Sequence, residues 1–264
     1  MKALDRKLLR DLARLWGQAV TIALVVACGI ASFVTMRGTY VSITDARDFY
    51  YADRRFADVF AHIERAPEAL SARMEALPGV ARVHTRVVRD VLLPMPGMAE
   101  PAVGRVVSVP GDGESPLDAI WLRKGRTVEP GRADEVVVLE SFADAHGLQP
   151  GDRMPAVLNG TKRELRVVGI AMSPEFVFAV GGGSFIQDDR RFGVLWMDRS
   201  VMAPAFRMEG SFDDVLVKLQ PGASEREVIE ELRRLLEPYG VVSVAGRDRQ
   251  LSHHVLEGEL AQLG

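Results

Sequence analysis

Apolar positions follow two different patterns along the chain. From Leu15 to Met36, LWGQAVTIALVVACGIASFVTM, they run on with no charged residue. As a helix this stretch would measure about 33 Å, enough to cross a hydrocarbon core of ~30 Å. A buried core helix would be shorter and would carry a polar stripe. A cleaved signal peptide has an apolar region of roughly 7–15 residues before a small-x-small site, and this run is longer and lacks such a site. The expectation is an uncleaved transmembrane helix over 15–36, with Leu15, Trp16, Ile22, Leu24, Val25, Ile30, Phe33 and Met36 among its membrane-spanning residues. Gly17, Gly29, Ala31 and Ser32 are small enough to allow close helix packing. Ahead of it, Leu4, Leu8, Leu12, Leu15 and Trp16 share one helical face and the basic residues the other. Residues 1–14 thus read as a cytoplasmic amphipathic helix on the membrane surface.

Beyond the span the apolar positions alternate or recur in short helical runs. Residues 38–55 continue the helix outward, with Tyr40, Ile43, Phe49 and Tyr50 as packing aromatics and aliphatics. Phe56–Ile63 alternates as a strand, and Pro67 opens a helix with Leu70, Met74 and Leu77 on one face. Pro78-Gly79 stops it, Val80–Leu93 reads as one long strand, and Ala102–Val109 as another. Residues 110–131 look like a connection with Trp121 and Leu122 tucked inward. Near the end the same grammar returns: strand Asp214–Leu219, a Ser224-x-x-Glu227 capping box, a helix burying Val228, Ile229, Leu232, Leu235 and Leu236, then strand Val241–Val244. Between these units, Glu135–Leu139 is a strand and Ser141–His146 a helix stopped by Gly147. Arg153–Leu158 and Lys162–Ile170 flank Asn159-Gly160 as a hairpin, and Phe192–Met197 returns as a strand.

The fold class expected is α+β. One N-terminal transmembrane helix precedes an exported domain of two β-α-β units, with a small β-rich inserted subdomain. The units occupy 37–131 and 207–246, the insertion 132–206, and 247–264 form a stalk helix with Leu251, Val255, Leu260 and Leu263 apolar.

Charge gives the sidedness. The residues before the span carry a net +3 and those after it a net −6. Short basic flanks stay in the cytoplasm, so the N-terminus is inside and the main domain outside. The single cysteine, Cys28, lies in the span, so the exported part folds without a disulfide and depends on its own core. Its acidity argues against nucleic acid as a partner.

Chemistry is sparse. There is no Gly-x4-Gly-Lys-Ser/Thr loop, no His-Glu-x-x-His, no paired-cysteine spacing and no Gly-x-Ser-x-Gly elbow. Of the five histidines, His62, His84 and His146 are scattered. His253 and His254 are adjacent and point about 100° apart on a helix, which is poor for sharing a metal. Asn159-Gly160-Thr161 matches a glycosylation sequon but is explained by the hairpin turn. Asp188-Asp189-Arg190-Arg191 reads as a solvated or self-paired segment. No catalytic residue, metal site or cofactor is expected, and the chain reads as non-enzymatic. One loop stands out as partner- or substrate-facing: Phe176, Phe178, Gly181, Gly182, Gly183 and Phe185. Three glycines make its backbone costly to order, while its aromatics offer area to a docking partner.

The hairpin with its lead-in, GLQPGDRMPAVLNGTKRELRVVGIA (Gly147–Ala171), resembles the core of MacB-like exported domains in FtsX-type permease subunits of ABC transporters. The order of elements resembles them too, and DDRRFGVLWM (Asp188–Met197) resembles large two-module permeases. The resemblance implies mechanotransmission. A cytoplasmic ABC ATPase would be the partner, with other permease spans or a second permease copy beside it in the lipid of the bacterial inner membrane. Further spans expected of such a permease do not follow residue 247, so the chain reads as an N-terminal module or fragment. A single-pass regulatory anchor recruiting an envelope enzyme is the alternative; an exported hydrolase has no motif behind it. The N-in topology has a direct test. Ser184→Cys is expected to react with a membrane-impermeant maleimide in intact cells or spheroplasts, and labelling only after lysis would refute it.

Overall fold

The structure, a computed structural model, describes residues 15–111, 115–181, 186–250, 252–255 and 257–258, with Lys7 and Arg10. Helix α1 runs unbroken from Trp16 to Asp53. Its 38 residues give a length of about 57 Å, so it extends well past the apolar stretch. All eight residues expected to span the membrane are exposed, as a lipid-facing surface requires. The helix ends in a left-handed turn: Arg55 has φ 54°, and the Phe56 N–H donates back to the Tyr51 carbonyl at 2.9 Å. This is the geometry usually given to glycine, and it brings the Tyr51 and Phe56 rings to 4.6 Å. The chain divides into two compact units, Met1–Phe49 with Glu257–Gly264, and Tyr50–Leu256. The second contains both sheets.

The first sheet has four antiparallel strands. β1 (Val59–Pro67) leads through a 3-10 turn into the short helix α2 (Ser71–Glu75) and then β2 (Val80–Arg86). The rest of this layer comes from far along the chain, as the strand Ser211–Leu219, the helix Glu225–Leu236 and the strand Val241–Gly246. The last strand lies beside β1, and β1 is separated from β2 by Ser211–Leu219, so two split β-α-β units interleave as in ferredoxin-like folds. One face packs on the helices through Leu70, Met74, Val228, Leu232 and Leu236. The Ser224 hydroxyl accepts the Glu227 N–H at the start of the long helix, as its capping-box spacing implies.

Everything between the two units builds the second sheet. It comprises β3 (Val88–Leu93), β4 (Ala102–Val109), β5 (Trp121–Gly125), β6 (Glu135–Leu139), β7 (Arg153–Leu158), β8 (Thr161–Met172) and β9 (Phe192–Asp198). Helix α3 (Glu140–His146) follows β6 and α4 (Arg199–Ala205) follows β9; the strand, helix and strand of the first layer listed above are β10, α5 and β11. The order is β5-β8-β6-β9-β4-β3-β7, and β7 pairs with β8 as well, so six strands close into a barrel with β5 on its flank. Val106, Val138, Met154, Leu165, Ile170 and Leu195 fill one side together with Phe142 of α3. Asn159 and Gly160 both have positive φ, 47° and 77°, as the two-residue β7–β8 turn requires.

Three expectations change. The insertion begins at Val88 rather than at 132, because β3, β4 and β5 pair in the barrel. Val80–Leu93 is two strands, with Val87 between sheets: its N–H donates to the Ser108 hydroxyl and that of Val88 to the Asp213 carboxylate. Alternation continues through this crossing, so periodicity alone carries no mark of the change of partner. Trp121 is not tucked inward but 39 % exposed on β5, stacked beneath Arg123 at 4.7 Å and beside Tyr50 at 6.1 Å. At the C-terminal end, 252–255 and 257–258 are helical, while Leu251, Leu260 and Leu263 lie outside the described residues.

The barrel packing gives a test. A Cβ at Gly193 would lie 2.5 Å from the Phe142 ring, itself wholly buried. Gly193→Ala is expected to destabilise the full chain by about 1–3 kcal/mol in chemical denaturation, with Phe142→Leu recovering part of the loss in the double variant.

Candidate functional site: the junction of the two sheets

The face of the four-stranded sheet turned away from its helices carries Phe60 and His62 of β1 and Asp214 and Leu216 of β10. Tyr51, Phe56 and Leu117 cover one part of it as an apolar cluster with Phe60 and Leu216. Arg86, at the end of β2 opposite Asp214, lies beside it and is 4 % exposed. Its Nε donates to Asp214 Oδ1 at 2.6 Å, and its two terminal nitrogens donate to Glu175 at 2.7 and 3.0 Å. Glu175 comes from the β8–β9 connection, so this guanidinium joins the ferredoxin-like layer to the barrel. Asp214 also pairs with His62 Nδ1 at 2.6 Å.

The electrostatics are those of a closed network. Burial alone would weaken the Arg86 charge, but Asp214 and Glu175 outweigh it and hold its pKa above the ordinary value. Burial would raise Asp214; Arg86 and then His62 overcome it and hold the carboxyl well below the usual range. Asp118, which accepts the Ala57 N–H at 2.7 Å, goes the other way: burial first, then the Glu175 charge, raises it far above a normal aspartate. His62 is raised by Asp214. Its neighbour in the layer, His84, is pushed down to about 3 by burial and by Arg86 and Arg199.

The returning segment after β11 fastens onto the same place. Arg247 donates to the carbonyls of Ala57 at 2.9 Å and Phe56 at 3.0 Å, pairs with Asp58, and lies over the Phe56 ring at 5.0 Å. Gln250 Nε2 donates to the Glu175 carbonyl at 2.6 Å. The Ser252 hydroxyl is 2.7 Å from that carbonyl and accepts the Phe178 N–H at 3.0 Å. His253 Nδ1 is 3.4 Å from the Tyr51 hydroxyl. The returning segment is thus bonded on one side to Tyr51 and to Phe56–Asp58 just past α1, and on the other to Glu175 and Phe178 of the β8–β9 connection.

Of the loop singled out in the sequence, Phe176 is half-buried against Trp196, edge to face at 6.2 Å, and Phe178 is half-buried with its N–H on Ser252. Gly181 borders a wide cleft of ≈ 1250 Å³ on the outer face of β3 and β4, with Leu92, Val103, Ile186 and Phe192. Gly182, Gly183 and Phe185 lie outside the described residues. The ionic residues of the junction escaped the sequence reading. The usable signal was charge at strand positions that should face inward, in Arg86 and in Asp213-Asp214. Among the described residues no group of three or more metal-ligating side chains is placed to hold an ion.

Two interleaved β-α-β units with a barrel inserted between them, preceded in sequence by one long apolar helix, define the class of fold. The chain belongs to the family of MacB-like periplasmic core domains, whose model matches residues 19–235. The resemblance carried by the Gly147–Ala171 hairpin is borne out at the level of the family. Among solved structures it is similar to the periplasmic region of MacB from Actinobacillus actinomycetemcomitans, at 12 % identity and TM-score 0.45, over 79 % of this chain and 94 % of that one. It is also similar to the extracellular domain of the ABC-type transporter YknZ from Gram-positive bacteria, at 13 % identity and TM-score 0.45, over 72 % and 98 %. No curated protein matches the chain. A periplasmic-domain family and one apolar helix fit a membrane-anchored chain with an extracytoplasmic domain.

The His62–Asp214 pair has a pH signature. A histidine raised in the folded state contributes stability that is complete below its unfolded pKa of about 6.5 and is lost as pH rises through the folded value. The His62 ring is half exposed, so solvent screens the pair and the effect is small. Stability of the full chain is expected to fall as pH rises above the unfolded histidine value of about 6.5, and His62→Gln to flatten that slope. Equal slopes in urea titrations of both proteins would refute the assignment.

Proposed function

We propose that the chain is the first span and extracytoplasmic core of an ABC-type permease, and that it passes movement of the membrane helices to the exported domain. The observation that carries this reading is the continuity of α1, one unbroken helix from Trp16 to Asp53 whose Tyr51 belongs to a buried apolar cluster. A helix without a break resists bending and compression, so a shift of its membrane end reaches its outer end instead of being absorbed in a linker. The bonds of Arg247, Gln250 and Ser252 would carry the same movement into the β8–β9 connection and the barrel. The family match supports an extracytoplasmic role, and the printed description of YknZ as an ABC-type transporter gives the transport context by analogy. In this reading the N-terminus is cytoplasmic in a bacterial inner membrane. The partners are a cytoplasmic ATPase and further permease spans or a second copy. The β8–β9 connection, of which Gly181 borders the wide cleft, is the surface offered to cargo or to another envelope protein.

In the assembled transporter, three glycines inserted between Asp45 and Ala46, in the exposed part of α1 beyond the apolar stretch, should break rigid transmission. ATP hydrolysis is expected to persist while export falls by about tenfold or more. Unchanged export would show that α1 serves only as a tether, as in a regulatory anchor.

A further inference from the structure

Beside the Arg86 network lies a second, smaller cavity of ≈ 220 Å³. Phe60 and His62 of β1 form one side, Phe176 and Phe178 of the β8–β9 connection another, with Arg105 from the barrel and Arg249 from the returning segment. The volume corresponds to about seven waters, and it falls below the ~300 Å³ at which drug-sized pockets begin. A ligand that fits is therefore small.

The charges that line it are unevenly satisfied. Glu175 also borders the cavity, but Arg86 occupies both its oxygens. His62 is held through Nδ1 by Asp214. Arg105 is committed to Asp90 through Nε and one terminal nitrogen at 2.9 and 3.0 Å, and its guanidinium lies 5.6 Å from the centre of the Phe192 ring. The Arg249 guanidinium makes no ion pair and no hydrogen bond among the described residues. One cation is thus left without a counterion in a cavity lined by four aromatic rings, Phe60, Phe176, Phe178 and Phe192. A single uncompensated guanidinium suits a monoanion, and its planar fork matches a carboxylate. Flat apolar surface is what Phe60, Phe176 and Phe178 can cover.

We propose that this cavity binds a small aromatic monocarboxylate, its carboxylate held by Arg249 with Arg105 alongside and its ring against Phe60, Phe176 and Phe178. Such a ligand touches β1, the barrel connection and the returning segment at once, so its binding stiffens the joint between them. The site stands on its lining residues and does not rest on the transport reading.

The probe is benzoate, titrated into the full-length chain in detergent by ligand-observed NMR and by thermal unfolding. Saturable binding with a raised Tm is expected, with the neutral isostere benzamide and inorganic phosphate each at least about tenfold weaker. Arg249 is exposed, so Arg249→Gln should leave the unliganded Tm unchanged while weakening benzoate about tenfold or more. Phe178→Leu, which keeps an apolar side chain, should weaken benzoate and leave phosphate unaffected. No saturable benzoate binding below about 10 mM, equal affinity for benzamide or for phosphate, or full affinity in Arg249→Gln would each overturn the proposal.

Discussion

Arg86 is the side chain on which the arrangement of the two sheets depends. A guanidinium taken out of water carries a desolvation penalty of several kcal/mol, and it stays charged only if carboxylates surround it with good geometry. Asp214 supplies one from the adjacent strand, and Glu175 supplies a bidentate one from the barrel. Because the penalty is large, no relative placement of sheet and connection that leaves Arg86 unpaired is competitive. A hydrophobic substitute could pack equally well but would not demand one partner over another. The pair therefore acts more through specificity than through net stabilisation.

That demand explains the behaviour of the β8–β9 connection. Its three phenylalanine positions suggest a loop available for docking, yet Glu175 anchors its start in the Arg86 network and Ser252 holds Phe178 from the other side. Phe176 is drawn onto Trp196 as a consequence. The same connection receives Gln250 and Ser252 through the Glu175 carbonyl. One residue thus uses its side chain to meet the first sheet and its backbone to meet the returning segment. A joint of this kind is stiff because its bonds share atoms, and displacing any one partner disturbs the other two.

The crossing at Val87 is the second constraint. β2 and β3 are separated by a single residue, so the barrel cannot swing far from the ferredoxin-like layer without breaking either the Val87–Ser108 or the Val88–Asp213 hydrogen bond. Arg199 reinforces this edge by donating to the Thr85 carbonyl at 2.7 Å and pairing with Glu68. Four contributions from distant parts of the sequence therefore fasten the two sheets side by side, although neither sheet shares a strand with the other.

What the sequence determined by itself is whatever depends on local pattern. The uncharged run 15–36, the capping box at Ser224, the left-handed stop at Gly147 and the Asn159-Gly160 turn are all statements about neighbours within a few residues, and each appears as its residues imply. The bulk of the strands are legible for the same reason, since alternation records burial of one face. Tertiary structure alone decided the rest. Alternation through Val80–Leu93 is the same whether the chain stays in one sheet or changes sheets, so the barrel's beginning at Val88 left no trace. Trp121 reads as core by its chemistry, but β5 is an edge strand, and its exposed face is covered by arginines instead. The Arg86, Asp214, Glu175 and His62 network could not be read because its members lie up to 152 positions apart, from His62 to Asp214. Charge in a strand tells only that a partner is needed, and only the packing of the sheets supplies it.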